Sequence, residues 1–330
     1  MANDTRSRTL DLVLRSLCTD DLGGLCERHS IAPEKLAALR DAFVDAGIAA
    51  IEALDQTRSW FQVDVRFDAL GFQWLLLLGG EFQDHVQRWI ERGVVDQFCF
   101  VHKPPGARLR FRGERGVLLP ELSALFARLV REGAITDWSR AVYDTEAYRF
   151  GGRTGMAITH RFFTVESLAV LAFHRERLRG GVTLEPMLFS LLLIDLLLRD
   201  VTDDEWERWD VWCRTEAAGR SLPLADQERA TALEQSLAAR EALAGLLRDP
   251  ERTIASLSSP ERRIVETYRN EVPAIARELR RARDRADLSL EMRAILSSWI
   301  VFHWNRMAFS LDDQRAIAFL ATTASAPPVR

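Results

Sequence analysis

The chain has 330 residues, 47% hydrophobic and 28% charged, with a formal net charge of −4. This is enough chain for one large domain or two small ones, and the balance is that of an ordinary globular protein. The slightly acidic charge gives no polyanion-binding character, so nucleic acid is not an expected partner.

Lys35 and Lys103 are the only lysines, so a single arginine carries little weight on its own. Cys18, Cys26, Cys99 and Cys213 form neither a Cys-x-x-Cys pair nor a Cys/His cluster with zinc spacing. Buried free thiols and no metal are therefore expected. Met1 to Arg8 is polar and no cleavable apolar run follows. The most apolar run, Met187 to Leu198, is too short to span a bilayer and contains Asp195. A reduced, cytoplasmic protein with no membrane partner is the reading.

Residues 1–57 read as a helical, helix-turn-helix-like module. Thr9 to Leu17 is apolar at helical spacing, and Thr19-Asp20-Asp21 is an N-cap run for a short helix through Glu27. Pro33 suits a first helical turn, followed by a stripe of Leu36, Leu39, Phe43, Ile48 and Ile51. A DNA-recognition helix is normally more basic than one carrying Glu34, Asp41, Asp45 and Glu52 beside Lys35 and Arg40, so packing or docking is expected instead.

Residues 58–330 read as a second domain. Trp60 to Phe67 alternates and is rich in strand formers. A helical stretch interrupted near Gly79-Gly80 runs to Arg92. Gln97 to Val101 is a second strand, Pro104-Pro105-Gly106 a turn, and Arg108 to Arg112 a third strand. Leu118 to Arg131 reads as helix and Asp137 to Tyr143 as a fourth strand. From Gly155 the pattern is helical almost to the end, with breaks at Gly180-Gly181, Arg220 to Pro223, Ser258 to Pro260 and Ser310 to Asp312. Ala324 to Arg330 is expected to be a disordered tail. The fold class is α+β: a helical N-terminal module, a central β-sheet with helices, and a long helical C-terminal half.

Three elements carry chemistry. Strand periodicity puts Arg108, Arg110 and Arg112 on one face and Leu109 and Phe111 on the other. Such a face can clamp carboxylates, and its like charges repel unless an anion or acidic neighbour is present. By spacing alone a solvated sheet face is the commoner outcome. Glu146 and Arg149 are three apart and meet on one turn, before a Gly151-Gly152 pair that permits positive φ; an ordinary ion pair before a loop is the plainer account. His303 and Arg306 share a face of a very apolar helix, where a histidine suits proton transfer but is more often structural. The remaining histidines show no metal-site spacing, and no Gly-x-Ser-x-Gly, P-loop or dinucleotide fingerprint occurs.

In this order the elements resemble a known family. The chain has Pro-Gly followed by Arg108-Leu109-Arg110-Phe111, then Tyr143-Asp144-x-Glu146-x-x-Arg149-Phe150-Gly151-Gly152, then His303-Trp304-Asn305-Arg306. Phe163 to Ser167 is similar to the family's Phe-x-x-Asp-Ser segment. From about Trp60 to Ser310 this resembles the C-terminal domain of class I lantibiotic dehydratases, also found alone as the thiopeptide-type bacteriocin biosynthesis domain.

The resemblance implies a lyase that removes glutamate from glutamylated Ser or Thr of a precursor peptide, leaving dehydroamino acids. It assigns the catalytic set to Arg108, Arg110, Glu146, Arg149 and His303, with no cofactor. Its implied partners are the precursor peptide, leader plus core, and a separate glutamylating protein, because the family's large glutamylation domain is absent from this sequence. Self-association is left open. Departures bear on substrate choice: Gly106 and Ala107 stand where a histidine is usual, His160 where an acid is usual, and Glu166 where the family has Asp.

Two other functions compete. Stand-alone relatives include [4+2] synthases that build a thiopeptide pyridine ring, and a non-catalytic precursor-binding protein would also suit the helical module. The retained arginine clamp favours elimination, since cycloaddition has no leaving glutamate to hold. A leader is expected to dock as an added strand on an edge between Ser59 and Tyr143. The sharpest expectation is spatial: an elimination enzyme needs all five residues in one cleft. A structural His303 would instead be sealed in the helical core against Trp299 or Met307, leaving only the fold resemblance.

Overall fold

The computed structural model describes residues 2–19, 21–55, 59–67, 78–220 and 237–327. The chain separates into two compact units, Met1–Ser59 and Trp60–Arg330.

The first unit contains α1 (Ala2–Leu17), α2 (Leu22–His29) and α3 (Pro33–Asp55). Asp21 caps α2 by accepting the Gly24 N–H at 2.8 Å, and Ser30 closes it in the left-handed region at φ 48°. Leu12, Leu25, Cys26 and Leu36 make a small core. The expected stripe on α3 is buried at Leu36, whereas Phe43 is 38% exposed. Asp20 and the side chains of Ile48 and Ile51 lie outside the described residues. Cys18, expected as a buried thiol, is exposed.

The second unit is α+β with a long helical C-terminal half, the class read from the sequence. Its sheet contains β1 (Trp60–Arg66), β2 (Val95–Lys103), β3 (Gly106–Gly113) and β4 (Asp137–Ala141), all antiparallel, in the order β2-β3-β1-β4. Between β1 and β2 lie a π turn (Leu78–Phe82) and α4 (Gln83–Glu91); between β3 and β4 lies α5 (Arg115–Arg131). The helix expected between Phe67 and Gly79 falls mostly on residues 68–77, outside the described residues.

Alternation gives the sheet two different faces. Phe61, Phe98 and Phe111 stack among themselves and meet Phe82 and Trp89, while Trp138 meets Phe126 of α5. The opposite face carries the arginines of β3. It is approached by α6 (Gly152–Leu178), which follows a 3-10 turn (Ala147–Phe150).

The helical half continues with α7 (Pro186–Val201), α8 (Glu205–Ala217), α9 (Leu237–Arg248), α10 (Pro250–Ser256), α11 (Ser259–Asp284), α12 (Met292–Arg306) and α13 (Leu311–Ala324). Ile264, Val265, Tyr268, Val272, Ile275, Ala276 and Leu279 form the buried stripe of α11, at the 3- and 4-residue steps that keep one helix face inward. Ser258 caps α11 in a capping box with Glu261, whose carboxylate also accepts the Thr183 and Leu184 N–H groups. Trp299 of α12 stacks on Phe162 of α6, with ring centroids 4.2 Å apart, and donates Nε1–H to Thr159 Oγ1 at 2.9 Å.

Several boundaries differ from the sequence reading. Asp204 and Asp249 cap new helices inside a stretch read as continuous, each accepting an N–H three residues on. The break at Arg220 to Pro223 falls partly outside the described residues. The expected disordered tail is corrected as far as it is described: Ser325, Ala326 and Pro327 line a cavity with Trp212, and Pro327 is buried. By length and composition α6 could cross a membrane, but 67% of its apolar window is buried inside the protein, as in a core helix.

Candidate active site

On β3, Leu109 and Phe111 are fully buried, so Arg108, Arg110 and Arg112 share the other face as the spacing predicts. Arg110 lies opposite Gln62 of β1 and Cys99 of β2. Its Nε donates to Gln62 Oε1 at 3.0 Å and its guanidinium sits 4.6 Å from the centre of the Tyr143 ring. Gln62 in turn donates to Asp64 Oδ1 at 2.8 Å. Arg112 has Asp96 at 3.9 Å. Among the described residues no carboxylate lies within ion-pair distance of Arg108 or Arg110, although Arg110 is only 7% exposed. A buried guanidinium without a counter-charge is costly and favours an incoming anion.

Beside Arg110 stands a pair that the sequence reading did not single out. Tyr143 Oη and His160 Nε2 are joined by a 2.9 Å hydrogen bond. His160 packs on Trp60, with ring centroids 4.1 Å apart, and Trp60 meets the Tyr143 ring edge-on at 5.4 Å. Burial, with Arg110 and Arg112 adding repulsion, pushes the imidazole down to about 3, so it is neutral. Burial and the nearby Cys99 push the Tyr143 hydroxyl up, with Arg110 pulling the other way. Burial also pushes the Cys99 thiol up, keeping it protonated. In sequence His160 registered only as a departure from an expected acid. Its signal was a run of polar residues on the inward side of an apolar helix: Thr159, His160, Glu166 and Ser167 are all buried.

That shift has a consequence for stability. The folded state holds His160 neutral down to about pH 3, while the unfolded chain protonates it near 6.5. Stability from this group is complete above 6.5 and is lost as the pH falls toward 3, because the unfolded state then binds more protons. Between pH 7 and 5, wild type should lose on the order of 2 kcal/mol more than His160→Gln. Denaturant titrations of both proteins at the two pH values measure this, and equal losses would refute it.

Glu146 and Arg149 meet as expected, at 3.0 Å across the 3-10 turn. Both following glycines have positive φ, 82° and 85°, and a Cβ on Gly151 would come within 2.6 Å of Ile295 Cδ1. Glu146 acts electrostatically on the Tyr143 hydroxyl, and Arg149 on Arg220. Arg220 donates to Gln314, which donates to Asn305 of α12 at 3.1 Å.

His303 lies near the end of α12. It is 2% exposed, with Nδ1 2.5 Å from Glu166 Oε1 and Nε2 2.8 Å from Ser190 Oγ. The same Glu166 carboxylate pairs with Arg306, which lies 4.0 Å from the Phe163 ring centre and donates to the Phe100 carbonyl at 3.4 Å. The cavity at His303, shared with Trp299 and Ile300, is about 10 Å³, room for no more than one water. Both ring nitrogens are engaged inside the helical core, while the partners Glu166 and Arg306 act electrostatically on Cys99, which lies opposite Arg110. Of the five expected residues, the structure puts Arg108 and Arg110 on one sheet face and Glu146 with Arg149 in the segment just after Tyr143. His303 is buried in the helical core beside Glu166 and Arg306.

The comparisons with known proteins agree with this architecture. No curated protein matches the sequence. The crystal structure of the tRNA-dependent lantibiotic dehydratase MibB from Microbispora sp. 107891 is similar, with a TM-score of 0.61 and 19% identity. That match covers 80% of this chain and 28% of MibB. TsrL is similar with a TM-score of 0.52 and 15% identity, over 81% of this chain and 94% of TsrL. The pyridine synthase TbtD from thiomuracin biosynthesis gives 0.45 and 14%, over 81% and 97%. At these identities the likeness to MibB and TsrL shows fold. The family model described as "Lantibiotic biosynthesis dehydratase C-term" matches residues 60–324, and the chain belongs to that family.

Proposed function

We propose that this protein acts on a ribosomally made precursor peptide and that its arginine face receives the carboxylate of a glutamyl group esterified to Ser or Thr. The observation that carries this is Arg110: nearly buried, held in place by Gln62 and Tyr143, and without a carboxylate partner among the described residues. Arg108, on the same face and more exposed, widens the clamp. A planar guanidinium recognises a carboxylate in bidentate fashion, and it stabilises the charge that grows on a departing one.

His303 is not given the proton transfer in this reading, since it is 2% exposed with Nδ1 against Glu166 and Nε2 against Ser190. The proton-transfer group beside the clamp is the Tyr143–His160 pair, where a neutral imidazole is held against a hydroxyl. In the proposed lyase reaction the substrate Cα–H bond breaks and its proton passes to the His160 imidazole, whose basicity rises when the substrate carboxylate on Arg110 offsets the repulsion that, with burial, holds it down. The electron pair forms the Cα–Cβ double bond, and the Cβ–O bond breaks to release glutamate. Glu146 holds Arg149 at the next turn, where the pair can position the peptide. The precursor peptide and the protein that glutamylates it are the partners this chemistry requires.

Mass spectrometry of a glutamylated precursor peptide incubated with the protein tests the proposal. Loss of one glutamate per modified residue is the expected result. Loss of the leader with macrocycle formation would establish pyridine synthesis instead, and an unchanged peptide would leave binding alone.

A further inference from the structure

The two outer strands of the sheet are treated differently by the rest of the fold. The Phe67 N–H donates to the Pro105 carbonyl at 3.1 Å, so the backbone of Phe67, and of every second residue before it, turns toward β3. Gln62, Asp64 and Arg66 therefore turn toward β4, where they face Ala141, Ser139 and Asp137. The same alternation turns the backbones of Phe98 and Phe100 outward from β2, and both are bonded there: the Phe98 N–H donates to Thr164 Oγ1 at 3.2 Å, and the Phe100 carbonyl accepts from Arg306. Helices α6 and α12 close the β2 edge.

On β4 it is Trp138, Arg140 and Val142 whose backbones turn outward. The Trp138 N–H is taken by its neighbour Asp137 Oδ1 at 2.8 Å. The Trp138 and Arg140 carbonyls and the Arg140 and Val142 N–H groups bond to no described residue. Val142 is 90% exposed, the most exposed large apolar side chain described. One residue later comes Tyr143, under Arg110. An open ladder edge thus leads directly into the candidate active site.

We infer that β4 is the docking strand for the peptide substrate: an extended segment adds to it as a fifth strand, its backbone bonding to Arg140 and its side chains covering Val142, which delivers the modified residue to Tyr143 and Arg110. The occupant follows from what is open, a row of backbone donors and acceptors that another strand satisfies in register, and from the continuity of that row with the arginine face. This rests on the peptide-substrate proposal above.

Arg140→Pro tests it. Its N–H points away from the sheet, so proline removes the donor and blocks pairing while leaving every bond to β1 intact. Arg140→Ala keeps the backbone and removes only the side chain. The probe is a fluorescein-labelled twelve-residue peptide of alternating Thr and Val with one serine, prepared with and without an O-glutamyl ester on that serine. Fluorescence anisotropy should show Arg140→Pro weakening both probes at least tenfold, with Arg140→Ala within twofold of wild type and melting temperatures unchanged. Methylating alternate backbone nitrogens of the probe should weaken binding to wild type equally. Equal affinity for wild type and Arg140→Pro overturns the docking strand, as does failure of either probe to bind wild type. So does a wild-type dimer that Arg140→Pro dissociates, since a second copy would then occupy the edge. If both probes bind equally and both depend on residue 140, the docking strand stands and the glutamyl clamp fails.

Discussion

Glu166→Ala should cost the fold about 3–5 kcal/mol, the usual price of removing one partner from a buried ion pair. Glu166 is fully enclosed and receives both His303 and Arg306, themselves 2% and 1% exposed. Alanine would strand the Arg306 cation among Phe163, Phe100 and the helical core with no counter-charge. The three-residue spacing of His303 and Arg306 on α12 is what lets one carboxylate on α6 serve both. Much of the loss should return in the double variant Glu166→Ala/Arg306→Met, since an apolar pair carries no desolvation penalty. Denaturant unfolding of the single and double variants checks this through a double-mutant cycle. A single variant within 1 kcal/mol of wild type would show that the core tolerates the stranded charge.

This network also marks the limit of what was legible in the sequence. The four strands and the face occupied by Arg108, Arg110 and Arg112 followed from alternation alone, because a period of two leaves no choice once Leu109 and Phe111 are inside. The Gly151-Gly152 pair was equally legible, since both backbones need positive φ. His303 was different. Helical spacing places a residue on a face, but which neighbouring helix covers that face is decided by tertiary packing, here by α6 and α7 through Glu166 and Ser190. His160 was obscured for the converse reason: judged against an expected acid it counted as a departure, and only the fold shows it hydrogen-bonded to Tyr143, 17 residues earlier. Helix breaks at Asp204 and Asp249 were readable from their caps, but the apolar runs around them hid the signal.

Arg110→Ala should lower the rate of glutamate release by about 10²–10³-fold, the usual effect of removing one charge-stabilising donor from a reacting centre. Arg110→Lys should fail to restore it. The guanidinium is fixed by Nε to Gln62 and by the Tyr143 ring, which aims its remaining N–H groups as a planar fork; an ammonium can keep the charge but not that geometry. The loss should fall mainly on kcat, because the developing carboxylate charge is greatest in the transition state, whereas an interaction used only for docking would change KM. Arg108→Ala, at a more exposed position facing Asp64 across the strands, should have the smaller effect. Glutamate released from a glutamylated peptide, quantified by mass spectrometry over a substrate series, separates kcat from KM for each variant. Wild-type rates in Arg110→Ala would remove the clamp from the mechanism, and rescue by lysine would reduce it to a point charge. Because Arg110 has no carboxylate partner among the described residues to leave stranded, alanine there should spare the fold, so an unchanged melting temperature beside a collapsed rate is the signature of a residue kept for its substrate.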